Sequence, residues 1–289
     1  MITIAPDGRG DYTTFYDAFE HIRAFMDYTV TVRVLKGIYR EKVLVPAWLT
    51  HVEIVGEDPD STVITWDDYA AKDNMTTFRT YTMRIDGNDI TLRNLTIANT
   101  AGRVGQAVAL HTEGDRIRIV GCRLLGNQDT FYTGGEGRRL YVEDCYIEGT
   151  TDYIFGAATV WFERCTLHSL SNSYITAAST PASIPYGYVF NRCTLTAAQG
   201  VTKVYLGRPW RPYASTFFLH CTMGRHIRPQ GWHNWRNPAN EKTARYGEYA
   251  TVGCDTDGRV KWARQLSPAE ATQMTPSAIF AYGVSWVIE

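Results

Sequence analysis

Along most of the chain apolar and polar residues alternate in short phrases, and one phrase of about eight residues keeps returning. It reads Ile119-Val-Gly-Cys-Arg-Leu-Leu-Gly, Val142-Glu-Asp-Cys-Tyr-Ile-Glu-Gly, Phe162-Glu-Arg-Cys-Thr-Leu-His-Ser, Phe190-Asn-Arg-Cys-Thr-Leu-Thr-Ala and, shortened, Leu219-His-Cys-Thr-Met. An earlier copy, Ile90-Thr-Leu-Arg-Asn-Leu-Thr-Ile-Ala-Asn, has Leu95 in the cysteine's place. Alternation around β-branched and aromatic residues predicts a short strand in each copy. From Cys122 through Cys145, Cys165 and Cys193 to Cys221 the steps are 23, 20, 28 and 28 residues, the period of a solenoid. With no helical pattern between copies, the expected fold is all-β, a right-handed parallel β-helix forming a single domain over 1–289. A β-sandwich is the structural alternative, but it leaves the repeated register unexplained.

A solenoid needs covers at its ends, because an open coil exposes strand edges. Phe15, Ala18, Phe19, Ile22 and Met26 follow helical spacing, and Thr14 with Asp17 resembles a capping box, so a helix is expected as the lid on the first coil. Ser267-Pro-Ala-Glu, with Pro268 at the first helical position, predicts a short C-terminal helix. Exchange of Leu for Cys at one repeat position points to a ladder of inward thiols filling the core. Zinc is disfavoured because no C-x-x-C pair or H-E-x-x-H occurs. Disulfides between neighbouring coils stay open in an oxidising compartment.

The 289 residues contain no Pro-, Gly- or Ser-rich linker that would divide them. A hydrophobic content of 44%, a charged content of 20% and a net charge of −1 are those of a soluble globular protein and give no electrostatic footprint for nucleic acid or an anionic membrane. No apolar run approaches the ~20 residues of a membrane span; the longest candidate, Ser277 to Ile288, is interrupted by Gly283 and Ser285. The opening Met1-Ile-Thr-Ile-Ala-Pro-Asp lacks the basic and apolar regions of a signal peptide, so either the protein stays inside the cell or a leader has been removed. Arg9-Gly-Asp11 reads as turn chemistry, and Asn94 of the sequon Asn94-Leu-Thr falls within a strand phrase.

Laid over the polar residues, the repeat aligns Gln106, Asp129 and Asp152, each 23 residues apart. Equivalent positions on adjacent coils stack about 4.8 Å apart, so these side chains are expected to form one column, with Tyr132 and Phe155 as a parallel aromatic column. Two carboxylates this close do not both ionise readily, so one is expected to keep a proton while the other stays anionic. The bland alternative is an Asp ladder bonded to turn amides or a solvated face, and the spacing alone does not decide between them.

The wording around the column does. Gly126-Asn-Gln-Asp-Thr-Phe-Tyr, Gly149-Thr-Thr-Asp-Tyr-Ile-Phe-Gly, Leu206-Gly-Arg-Pro-Trp, Gln106-Ala-Val-Ala-Leu and Gly37-Ile-Tyr-Arg-Glu resemble, in order, the signature blocks of pectin methylesterases. The resemblance implies that Asp152 is the nucleophile, Asp129 the general acid and base, and Gln106 and Gln128 the oxyanion donors, with Arg208 holding Asp152 ionised. It further implies a sugar groove lined by Phe78, Tyr132, Phe155, Trp210 and Trp232, and pectin or a methylated oligogalacturonide as the partner. No metal or other cofactor is implied, and a monomer is expected. Tyr153 departs from the Phe of many relatives, a change expected to be tolerated.

Three other readings share parts of this pattern. A polygalacturonase would share the fold and a carboxylate pair, but the blocks associated with it are absent. A pectate lyase would need clustered oxygen ligands for calcium, and Glu57-Asp58, Asp67-Asp68 and Glu143-Asp144 are weak candidates because adjacent strand residues face opposite ways. A non-catalytic polysaccharide-binding solenoid would have no use for the full set Gln106, Gln128, Asp129, Asp152 and Arg208.

Overall fold

The computed structural model describes residues 1–286 and Ile288. Among them the strands form three parallel sheets of eleven, eight and seven strands. Each coil contributes one short strand to each sheet in turn, as in Arg123–Leu125, Phe131–Thr133 and Arg139–Glu143, so the chain winds as a parallel β-helix. The eleven-stranded sheet runs without a break from Ile2–Ile4 to Arg264–Gln265.

The repeat builds the core because paired strands keep their inward positions in register. Val32, Ile54, Leu92, Ile119, Val142, Phe162, Phe190 and Phe218 follow one another across the large sheet, all fully buried. At the upper end aliphatic side chains give way to rings, and Phe162, Phe190 and Phe218 stack at 4.3 and 4.5 Å between centroids.

The cysteines form the expected ladder: Cys122, Cys145, Cys165, Cys193 and Cys221 are buried free thiols, and Leu95 occupies the same place one coil earlier. The residue before each is the corner of the coil. Asn94, Gly121, Asp144, Arg164, Arg192 and His220 all have left-handed backbone. The strand therefore ends at Arg93, and Asn94 lies exposed at this corner, not in the strand. Each Sγ lies 3.2 to 3.5 Å from the carbonyl two residues back, across the corner. A thiol thus fills apolar space and also satisfies a turn carbonyl, which leucine cannot do.

The N-terminal helix is shorter than its pattern. It spans Phe15–Glu20 and buries Phe15, Ala18 and Phe19, while Ile22 and Met26 reach the core from irregular chain. Phe25 has left-handed backbone and its N–H bonds to the Trp48 carbonyl, so tertiary contact overrides the helical spacing. Thr14 Oγ1 accepts the Asp17 N–H and donates to the Asp17 carboxylate, a one-sided cap. At the other end Ser267 and Glu270 form a reciprocal capping box on Pro268–Gln273, and a further helix follows at Pro276–Ile279. Buried Arg139, paired to Asp115 at 2.6 Å, donates to the carbonyls of Phe280, Tyr282 and Val284 and ties the C-terminal tail to the coils. No helix among the described residues is long and apolar enough to cross a membrane.

Candidate active site

In two successive coils the turn from the eight-stranded to the seven-stranded sheet is built on a glycine and an aspartate, Gly126 with Asp129 and Gly149 with Asp152. A Cβ on Gly149 would lie 2.2 Å from Tyr153 Cβ and 2.6 Å from the Asn127 carbonyl, and one on Gly126 would lie 2.7 Å from Thr130 Oγ1. Only glycine allows so tight a corner. Three residues on, Asp129 and Asp152 have left-handed backbone, with φ of 66° and 49°, a conformation that short polar side chains tolerate. Phe131 pairs with Ile154, so Asp129 lies over Asp152. Main-chain bonds fix the stack: the Asp129 N–H donates to the Thr151 carbonyl and the Asp152 N–H to the Tyr174 carbonyl.

Gln106 belongs to the column one residue out of step. Leu110 pairs with Phe131, 21 residues on, so this coil is shorter than the next, and Gln106 bridges to Gln128 rather than to Asp129. The even spacing of 23 therefore does not describe a three-member column. Two stacked glutamines lie beside two stacked aspartates, and all four open into one cleft of about 340 Å³ with Arg208. Arg208 follows Tyr205–Gly207 and grips Asp152 in a two-pronged bond, Nε to Oδ1 at 3.0 Å and Nη2 to Oδ2 at 2.6 Å.

That contact makes the aspartates unequal. Both are more than nine-tenths buried. Burial, then the negative charge of Asp152, pushes Asp129 up to about 8 against a smaller downward pull from Arg208. Burial, the larger effect, raises Asp152 as well, and the hydrogen bonds and charge of Arg208 offset that rise only in part. Among the described residues no side chain hydrogen-bonds Asp129. The pair thus sets a carboxyl whose surroundings favour its protonated form beside one that a guanidinium holds toward the carboxylate form.

A row of rings crosses the cleft. Phe78 meets Tyr132 at 4.9 Å, Tyr132 meets Phe155 at 4.9 Å and Phe155 meets Trp210 at 5.9 Å. His111, buried beneath Tyr132, holds Glu113 at 2.8 Å. Trp232 is not in this row. Its ring is 1% exposed, stacked on Tyr246 at 4.3 Å, because the strand-like bridge to Gly207 turns it inward. Trp235, three residues later and with φ of 60°, lines the cleft instead. Trp235 is not among the residues read from the sequence, although Gly231-Trp-His-Asn-Trp places it only three residues after Trp232; the direction of the bridge is what tells the two apart. Tyr174, which touches Arg208 at 4.0 Å, also went unnoticed, although it stands 22 residues after Asp152. Tyr153 points into the core, where its hydroxyl meets Ser169 Oγ at 3.1 Å; that contact accommodates the extra oxygen.

A larger cavity of about 530 Å³ lies along the C-terminal tail, but its described lining includes no carboxylate, histidine or cysteine.

A family model described as Pectinesterase matches residues 1–282. Pectinesterase 31 of Arabidopsis thaliana is 37% identical over 285 residues, covering 94% of this chain and 89% of its own. Among solved structures, the pectin methylesterase from carrot superposes with a TM-score of 0.92 at 31% identity, covering 97% of this chain and 92% of that one. A pectin methylesterase in complex with a hexasaccharide superposes at 0.84 and 26% identity, covering 99% and 98%.

Proposed function

Since the chain belongs to the pectinesterase family, we propose that it removes the C6 methyl esters of galacturonate residues in pectin by acyl transfer through Asp152 and Asp129. The observation that carries the assignment of roles is the asymmetry of the pair: Arg208 bonds Asp152 through two nitrogens, while Asp129 is buried without such a partner and pushed up to about 8.

An Asp152 oxygen attacks the ester carbonyl carbon, and the carbonyl electron pair moves onto oxygen. Gln106 and Gln128, stacked on adjacent coils, are placed to donate side-chain N–H groups to that oxyanion. As the intermediate collapses, Asp129 gives its proton to the methoxy oxygen and the C–O bond to methanol breaks, leaving an acyl link to Asp152. Asp129, now a carboxylate, takes a proton from water. The resulting hydroxide attacks the acyl carbon, Asp152 leaves as carboxylate, and the sugar acid released loses its proton to solvent.

The aromatic row supports binding of pyranose faces, since flat rings match their apolar C–H surfaces. All these groups come from one copy of the chain, which supports action as a monomer.

The test is methanol release from highly methylated pectin and from methylated oligogalacturonides, with viscosity and unsaturated ends followed in parallel. Methanol with chain length preserved is expected. A fall in viscosity with unsaturated ends, or no methanol from folded protein on either substrate, would overturn the reading.

A further inference from the structure

Continued beyond Asp152, the turn column changes character. Ile154 pairs with Thr176, which places Tyr174 over Asp152, and Tyr174 pairs in turn with Tyr205. The two tyrosine rings stack at 5.3 Å with 13° between their planes. The Arg208 guanidinium carbon sits 4.0 Å from the centroid of Tyr174 and 3.8 Å from that of Trp235. The Trp235 main chain is fixed next to the stack: its backbone N–H donates to His233 Nδ1 at 3.0 Å, and the His233 ring packs on Tyr174 and Tyr205 at 5.4 and 5.3 Å.

We propose that Tyr174 and Trp235 are positioning residues for ester hydrolysis, holding the Arg208 guanidinium between their rings so that its edge stays turned onto Asp152. A guanidinium carries all its donors in its plane and is weakly hydrated, so aromatic rings occupy its faces without competing for the donors. With the faces taken, rotation away from Asp152 would break both ring contacts as well as both hydrogen bonds. Asp152 is thereby kept ionised and in one orientation while substrate enters and leaves. This inference rests on Asp152 being the nucleophile.

Kinetics on methylated pectin test it. Tyr174→Leu is expected to lower kcat about 3- to 30-fold, the range of a cation–π contact, while KM changes less than about twofold. The acid limb of the kcat/KM profile moves to higher pH, because a looser Arg208 holds Asp152 ionised less well. Tyr174→Phe, which keeps the ring, restores both. Trp235→Leu, at a partly exposed side chain, moves the acid limb the same way with a rise in KM, and it decides the matter if Tyr174→Leu does not fold. An unmoved acid limb in the folded Leu variants overturns the clamp, as does a Tyr174→Phe variant as impaired as Tyr174→Leu. Asp152→Ala is assayed alongside: if it still releases methanol, the nucleophile assignment falls and takes the clamp with it; if it is inactive and the Leu variants keep the wild-type acid limb, only the clamp falls.

Discussion

Asp129 and Asp152 occupy the same turn of successive coils with the same left-handed backbone, and they differ chiefly in whether a guanidinium reaches them. The free enzyme should lose activity above about pH 8, as Asp129 gives up the proton it must donate, and again on the acid side as Asp152 is neutralised. The same titration sets a stability trend. Below the ordinary carboxylate range Asp129 is protonated folded and unfolded. Between that range and about pH 8 only the folded chain keeps the proton, so wild-type stability falls as pH rises through this window. Asp129→Asn, neutral throughout, should therefore melt higher than the wild type at pH 8 and lose this advantage toward pH 4, while releasing methanol far more slowly. Equal melting curves at both pH values would contradict the protonated state assigned to Asp129.

Among the elements, the strands and inward thiols were legible because period-two alternation survives in every coil. The corners were not: asparagine, glycine, aspartate, arginine and histidine all occupy the left-handed position before the inward residue, so no single residue type marks it. The N-terminal helix was legible over Phe15–Glu20 but not beyond, where the bond from Phe25 to Trp48 that breaks the pattern is tertiary. The ladder carries its own prediction. Cys122, Cys145, Cys165, Cys193 and Cys221 are all buried, and Cys254 alone among the six is partly exposed. A thiol reagent at neutral pH should modify Cys254 in the folded protein and reach the other five only on unfolding. Rapid native modification of several thiols, read by mass, would contradict a closed core.

Over the whole molecule, fold and site were readable to different depths. A constant interval in the sequence located the aspartates on one face, and their register across Phe131 and Ile154 bears out that stacking. The glutamines broke the interval because coil length varies, and a shift of one residue moved Gln106 from Asp129 onto Gln128. Coil lengths are set by loops that stack on nothing repetitive, so periodicity cannot supply them. Trp232, expected in the groove, is drawn into the core by its bridge for a related reason, and Trp235, which the sequence reading did not single out, is turned outward at a left-handed residue.

The central claim is that one stacked pair of aspartates carries the acyl transfer with divided roles. Its most direct test is the turnover number for methanol release by wild type, Asp152→Ala and Asp129→Ala, each checked for an intact melting transition. The account predicts no detectable turnover without Asp152 and a loss of about 10²–10⁴-fold without Asp129. Wild-type turnover in a folded Asp152→Ala variant would contradict it.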